Sequence, residues 1–201
     1  MNKKEKILLS LSALFLIIFL LLLFNINNFQ LIDNSVNSFF LTHQNPALIS
    51  ISKAIAWIFE PEIVVVYALI ISLMLFIKKY RRESIIFAVL MLFGGGLLYA
   101  VKEIVQRARP EDMLTIQSSY AFPSGHALIS LIFLGFFIYL ALKNIKSKPT
   151  KIIISVFLIL MMIFVGASRL ILNVHYFTDV IGGWFLGLFI LLISLAITKK
   201  Y

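Results

Sequence analysis

Six long apolar blocks, separated by short polar or charged stretches, set the rhythm of the chain: residues 7–24, 63–77, 84–101, 127–142, 152–167 and 180–197. None carries a charge in its middle. An α-helix rises ~1.5 Å per residue, so about 20 apolar residues cross the hydrocarbon of a bilayer. The pattern predicts an all-α polytopic membrane protein with six transmembrane helices. Block 63–77 is short for a span and is expected to lengthen through its flanks. Lys3, Lys4 and Lys6 precede the first block, as they would in a signal peptide. Asn25-Ile26-Asn27-Asn28 follows it instead of a small-residue cleavage site, so it is expected to remain as the first helix. Between the first two blocks, residues 46–59 alternate apolar positions with Ser50, Ser52 and Lys53 and carry Trp57 and Phe59 near the end. They predict a helix that lies in the outer interface or packs on the bundle. Gly94-Gly95-Gly96 and the Gly183, Gly187 pair are expected to allow close helix packing, within the chain or between copies.

Composition agrees with this reading. Of 201 residues, 61% are hydrophobic and only 13% charged, about half the charged share of a soluble domain. There is no cysteine, which excludes a disulfide scaffold and a thiolate metal site. No linker or repeat divides the chain, so residues 1–201 are expected to form a single membrane domain. The net charge of +9 is a topology signal and does not imply a nucleic-acid partner. With six crossings, thirteen of the eighteen Lys and Arg fall at the two termini and in the loops after the second and fourth spans. Lys53, Lys102, Arg107, Arg109 and Arg169 fall on the other side. The positive-inside rule then makes both termini cytoplasmic.

Three polar clusters sit at the outer ends of the spans. Lys102 and Arg109 are seven residues apart, about two helical turns, so both can point the same way on a helix that ends before Pro110. Taken alone they read first as water-facing charges at a helix end. Pro123-Ser124-Gly125-His126 opens the fourth span. A helix start offers free N–H groups and a favourable dipole to an anion, Ser124 adds a hydroxyl, and Gly125 permits close approach. Ser168-Arg169 closes the fifth span, followed by His175 and Asp179. Four residues apart on a helix, those two share a face, and the carboxylate can fix the imidazole tautomer. Chain alternation brings all these ends to one side, so the clusters can converge on one outer pocket. His43, Glu111 and Asp112 receive no role.

Lys102-x6-Arg109-Pro110, Pro123-Ser124-Gly125-His126 and Ser168-Arg169-x5-His175-x3-Asp179 together resemble the three signature motifs of the type 2 phosphatidic acid phosphatase family, the lipid phosphate phosphatases. That superfamily also includes the soluble vanadium haloperoxidases. The motifs are complete, in the family's order, and cover residues 102–179; the six-helix layout extends the likeness over the chain. The resemblance implies cofactor-free, metal-independent hydrolysis of phosphomonoesters or pyrophosphates. Lys102, Arg109, Ser124, Gly125 and Arg169 would hold the phosphoryl oxygens. His175 would be the nucleophile that forms a phosphohistidine, Asp179 would orient it, and His126 would be the general acid and later the base.

Two histidines and a carboxylate are also ligands for divalent iron or zinc, but three cations around the same pocket would repel a metal. Motifs at the outer helix ends point to a membrane lipid phosphate as the partner: undecaprenyl pyrophosphate, phosphatidylglycerophosphate or phosphatidic acid. The compact, Lys- and Ile-rich chain suggests a bacterial cytoplasmic membrane. The rival classes are a phosphotransferase using the same His175 and a non-enzymatic small transporter. A transporter would call for charges within the spans or an inverted repeat, and neither is visible.

Overall fold

The structure, a computed structural model, describes residues 2–198. Its elements are α1 (Lys3–Phe24), a 3-10 turn (Ile26–Phe29), α2 (Gln30–Thr42), α3 (Pro46–Ile58), α4 (Pro61–Ile77), α5 (Arg81–Val105), α6 (Gly125–Asn144), α7 (Lys148–Ile171) and α8 (Phe177–Thr198). Local signals explain the starts. Asn2 and Glu5 form a reciprocal capping box on α1, Asn45 and Ser147 cap α3 and α7, and prolines occupy the first turns of α3, α4 and α7.

Five helices, α1, α5, α6, α7 and α8, are each long and apolar enough to cross a bilayer; α3 and α4, bent by 46° at their junction, supply the sixth crossing when taken together. The short second block is thus lengthened at its N-terminal end by a preceding helix. The helix expected over 46–59 is α3. The stretch before it, left without structure by the sequence pattern, contains α2. Lys199 and Lys200, which enter the charge asymmetry, lie outside the described residues.

The molecule is apolar on the outside. Leu73, Ile153 and Phe157 are among many large aliphatic and aromatic side chains at least half exposed, distributed over α4 and α7. Such a belt is an aggregation hazard in water and the normal lipid-facing surface in a membrane. The interior is built around α6. Its Phe136 stacks on Phe87 of α5 with centroids 4.3 Å apart, and Ile129 and Ile132 are fully buried. α1 and α8 run antiparallel, joined by Phe15 on Phe185 and by Ser12 Oγ donating to the Phe189 carbonyl at 3.1 Å.

Small residues fix how near α8 comes to α6. A Cβ on Gly183 would lie 2.6 Å from the Ser124 carbonyl oxygen, and one on Gly187 3.2 Å from the Leu128 carbonyl oxygen. The expected close packing therefore holds for both. In the Gly94-Gly95-Gly96 run it holds for Gly94 alone, against Ile132; nothing lies within 4 Å of a Cβ on Gly95 or Gly96.

Candidate active site

The loop 106–124 and the α7–α8 turn bring the three clusters together. α5 ends at Val105, four residues before the expected boundary, because Gln106 takes a left-handed conformation (φ 49°) and its N–H closes on the Lys102 carbonyl. Lys102 is therefore in the last helical turn and Arg109 is in the loop, so they do not share a helix face. They meet by folding back of the loop. The buried Lys102 Nζ donates to the Tyr120 carbonyl. Arg109 donates from Nε to the Ser119 carbonyl and from Nη1 to the Val174 carbonyl, both at 2.6 Å. Its Nη1 also lies 3.2 Å from His175 Nε2.

His175 precedes α8, so the expected shared helix face is replaced by a turn-to-helix contact. Asp179 in the first turn of α8 places Oδ2 3.3 Å from His175 Nδ1 and accepts the Tyr176 N–H at 2.8 Å. Both side chains are buried. Burial, followed by the positive charges of Arg109, Arg169 and Lys102, pushes the His175 pKa well below its ordinary value. The ring is thus neutral, with Nδ1 facing a carboxylate and Nε2 facing the pocket.

Ser124, at the start of α6, donates its N–H to the Asp179 carbonyl at 2.9 Å. Its Oγ is buried without a partner, as are Nε and Nη2 of Arg169, whose side chain is 1% exposed. Three unpaired buried donors beside two histidines form a site made for an anion. His126 Nε2 stands 3.1 Å from the Ala56 carbonyl and 3.4 Å from Glu60 Oε2.

A cavity of about 280 Å³ opens here, and Lys102, Arg109, Gly125, His126 and His175 line it. Ser124, Arg169 and Asp179 lie buried behind this lining. The cavity continues along Val65 of α4 and Gly95, Leu98 and Tyr99 of α5. Its apolar arm thus runs between α4 and α5 and does not border α3. Glu111 and Asp112 are exposed and outside the lining. His43 stacks on Phe39. Among the described residues, no three His, Asp or Glu side chains group as metal ligands.

Three residues were not legible as parts of the site. Glu60 lies between the residue 46–59 stretch and the second apolar block, outside every motif. Arg107 lies within the first motif's spacer, and Asp33 lies in α2. Arg107 donates from Nη1 to Asp179 Oδ1 at 2.5 Å and from Nη2 to Asp33 Oδ2 at 2.7 Å. Asp33, fully buried, also accepts the Thr178 N–H at 2.9 Å and the Thr178 hydroxyl at 2.7 Å. The one available signal was Arg107 itself, an outer cation without a motif role.

Fold and pocket together define a polytopic helical membrane protein with an anion site, served by two histidines, at one set of helix ends. Residues 83–201 match the family model described as PAP2 superfamily. The chain belongs to the PAP2 superfamily. It is 32% identical over 126 residues to phosphatidylglycerophosphatase B of Bacillus subtilis (strain 168). That stretch spans 60% of this chain and 62% of the relative, under two thirds of its length. The fold is that of a solved transmembrane PAP2 type phosphatidylglycerolphosphate phosphatase from Bacillus subtilis. The TM-score is 0.86 at 24% identity, over 94% of this chain and 96% of that one.

Proposed function

We propose that this protein is a membrane lipid phosphatase, and that phosphatidylglycerophosphate, named for both relatives, is the first substrate to test. Undecaprenyl pyrophosphate and phosphatidic acid are the other members of the substrate class. One observation carries the reading: a buried neutral imidazole, backed by Asp179, faces a pocket where Lys102, Arg109 and Arg169 converge and three buried donors lack partners.

The phosphoryl oxygens bind Lys102, Arg109, Arg169, the Ser124 hydroxyl and the Gly125 N–H. On binding, the phosphate takes over the Arg109 donor that otherwise faces His175 Nε2. The Nε2 lone pair attacks phosphorus in line as the P–O bond to the leaving group breaks, and His126 gives its proton to the leaving oxygen. Asp179 accepts from Nδ1–H and stabilises the phosphoimidazolium. Water then attacks phosphorus while His126 takes its proton. The P–N bond breaks, its electrons return to His175, and inorganic phosphate leaves. The preorganised cations supply most of the stabilisation, as expected for phosphoryl transfer.

The charge asymmetry supports both termini in the cytoplasm and the site facing outward across a bacterial cytoplasmic membrane. The apolar arm between α4 and α5 suits the first methylenes of an acyl chain. The test is phosphate release from a panel of purified lipid phosphates, with vanadate and EDTA controls. We expect release that vanadate inhibits and EDTA leaves intact, and complete loss in His175→Ala. Absence of release from every lipid phosphate, or full activity of the variant, overturns the reading. Loss of activity in EDTA with recovery on metal addition would defeat the metal-independent mechanism.

A further inference from the structure

We infer that Asp33 and Arg107 are positioning residues for Asp179, an inference that rests on the phosphatase reading. Neither touches the pocket's histidines. Asp33 holds the first turn of α8 through both the N–H and the hydroxyl of Thr178. Arg107 bridges Asp33 to Asp179 Oδ1 and stacks over the Tyr176 ring at 4.3 Å. Asp179 is thereby held at both oxygens, Oδ1 by Arg107 and Oδ2 by the Tyr176 N–H and His175. Charge matters as much as geometry. One guanidinium shared by two buried carboxylates leaves a net negative charge beside His175, where a phosphoimidazolium forms. Given Asp179 alone, Arg107 would neutralise it. A single partly buried cation between two buried anions also explains how α2 can carry a fully buried Asp at all, since an unpaired carboxylate there would be strongly destabilising.

The test is a double-mutant cycle on the full-length protein with a soluble phosphate ester. Asp33→Asn and Arg107→Gln should each lower kcat about tenfold to hundredfold, as small misplacements of catalytic groups do, with KM little changed. The double variant should lose no more than the worse single one, because the two act as one unit. Arg107→Lys should recover part of the loss. Asn37→Ala is the structural control: it removes another tether of α2 to the α7–α8 turn, the 2.8 Å bond to Asn173. It should lower Tm while sparing kcat. Wild-type kcat in Asp33→Asn, additive losses, or an equal kcat loss in Asn37→Ala at matched Tm would overturn the inference. If wild-type protein itself releases no phosphate, it is the phosphatase reading that fails.

A separate observation lies at the opposite helix ends. α7 buries only its final turns, clamped where Gly166 faces Trp184 and Val180 of α8. Towards its start it stands away from α8, and a cavity of about 690 Å³ opens with walls that include Ile138, Ile159, Met162 and Leu188. Lys4, Arg82 and Lys143, from three different helices, line the same cavity. Lys143 is paired with Glu83, whereas Lys4 and Arg82 form no ion pair among the described residues. We propose that this cleft binds an anionic phospholipid, with one acyl chain between the helices and its phosphate against Lys4 and Arg82. Basic pockets between transmembrane helices recognise anionic headgroups in this way.

Thermal unfolding in detergent micelles tests it, with phosphatidylglycerol or phosphatidylcholine added and vanadate saturating the catalytic pocket. Phosphatidylglycerol should raise Tm more than phosphatidylcholine does, by mass action on the folded state. The difference should vanish in Lys4→Gln/Arg82→Gln and in Ile159→Trp, while all variants still hydrolyse a soluble ester. Equal stabilisation by both lipids, or a phosphatidylglycerol effect that survives both variants, overturns the proposal.

Discussion

Nη1 of Arg109 lies 3.2 Å from Nε2 of His175, while Nδ1 of the same ring faces Asp179. A guanidinium can only donate, so Nε2 must be the acceptor and the proton must reside on Nδ1. The tautomer that the proposed attack through Nε2 requires is thus set by the residues on either side of the ring. Arg109 also covers that lone pair; in the proposed reaction the phosphate takes over this donor.

The first prediction concerns pH. Burial and the flanking cations hold the His175 pKa well below the ordinary ~6.5. In the proposed mechanism the neutral ring is the nucleophile, so kcat/KM should persist as pH falls through about 6.5, after correction for the substrate's own ionisation near ~6. An acid limb due to the enzyme at 6.5 or above would contradict this. The sign for stability is the same. The unfolded chain binds a proton at this histidine below about 6.5 while the folded one does not. This contribution is therefore full above about 6.5 and is lost progressively as pH falls.

His126→Gln separates general-acid catalysis from phosphate binding. An alkoxide leaving group needs a proton and a nitrophenolate does not. We expect kcat for an alkyl phosphate to fall about 10²–10⁴-fold, the usual range for a lost general acid, and kcat for nitrophenyl phosphate to fall far less. Equal losses on the two substrates would assign His126 to binding instead.

Arg169 places stability and activity in opposition. Two of its guanidinium nitrogens are buried without partners. Arg169→Met removes that uncompensated charge, so Tm without ligand should rise or hold. The kcat/KM should drop by the value of a charged hydrogen bond, ~1.5–3 kcal/mol or about 10–150-fold. Vanadate should raise Tm in the wild type and not in the variant. A variant with lower Tm and unaltered vanadate response would make Arg169 structural.

Much of this site was legible in the sequence because its chemistry needs particular residue types at helix ends, and hydropathy locates those ends. His126 and Gly125 open α6, and Arg169 closes α7, as the pattern implied. The α5 boundary was missed because one left-handed residue, Gln106, ends the helix while the surrounding sequence still favours it. α2 was missed for a different reason. Its fully inward positions, Asp33 and Asn37, are polar and interleave with the apolar Val36 and Phe40, so the stretch does not stand out as an apolar block. Their partners, Arg107 and Asn173, are distant in sequence, and no local spacing records such a pairing.

Gly183→Ala tests how the α6–α8 contact positions the site. The new Cβ would meet the Ser124 carbonyl oxygen at 2.6 Å and the Leu128 nitrogen at 3.2 Å, both backbone atoms that cannot rotate aside. α8 must shift, moving Asp179 relative to the Ser124 N–H. We expect a loss of about 1–3 kcal/mol in stability, typical of overpacking, with a fall in kcat. Gly96→Ala, with nothing within 4 Å, should be tolerated. Equal Tm values for the two variants would count against the close contact.

The final prediction concerns substrate length. Gly95 lines the cavity arm between α4 and α5 together with Val65 and Tyr99, and a Cβ added there meets nothing within 4 Å. Gly95→Phe should therefore exclude the first methylenes of an acyl chain and leave the phosphate pocket intact. Each buried methylene contributes about 0.8 kcal/mol, so losing two raises KM for a diacyl lipid phosphate about tenfold. KM for a short soluble ester, which never reaches the arm, should change less than about twofold on the same scale. If both constants rise together, the arm is part of the phosphate site, and the acyl chain must leave the protein by another route.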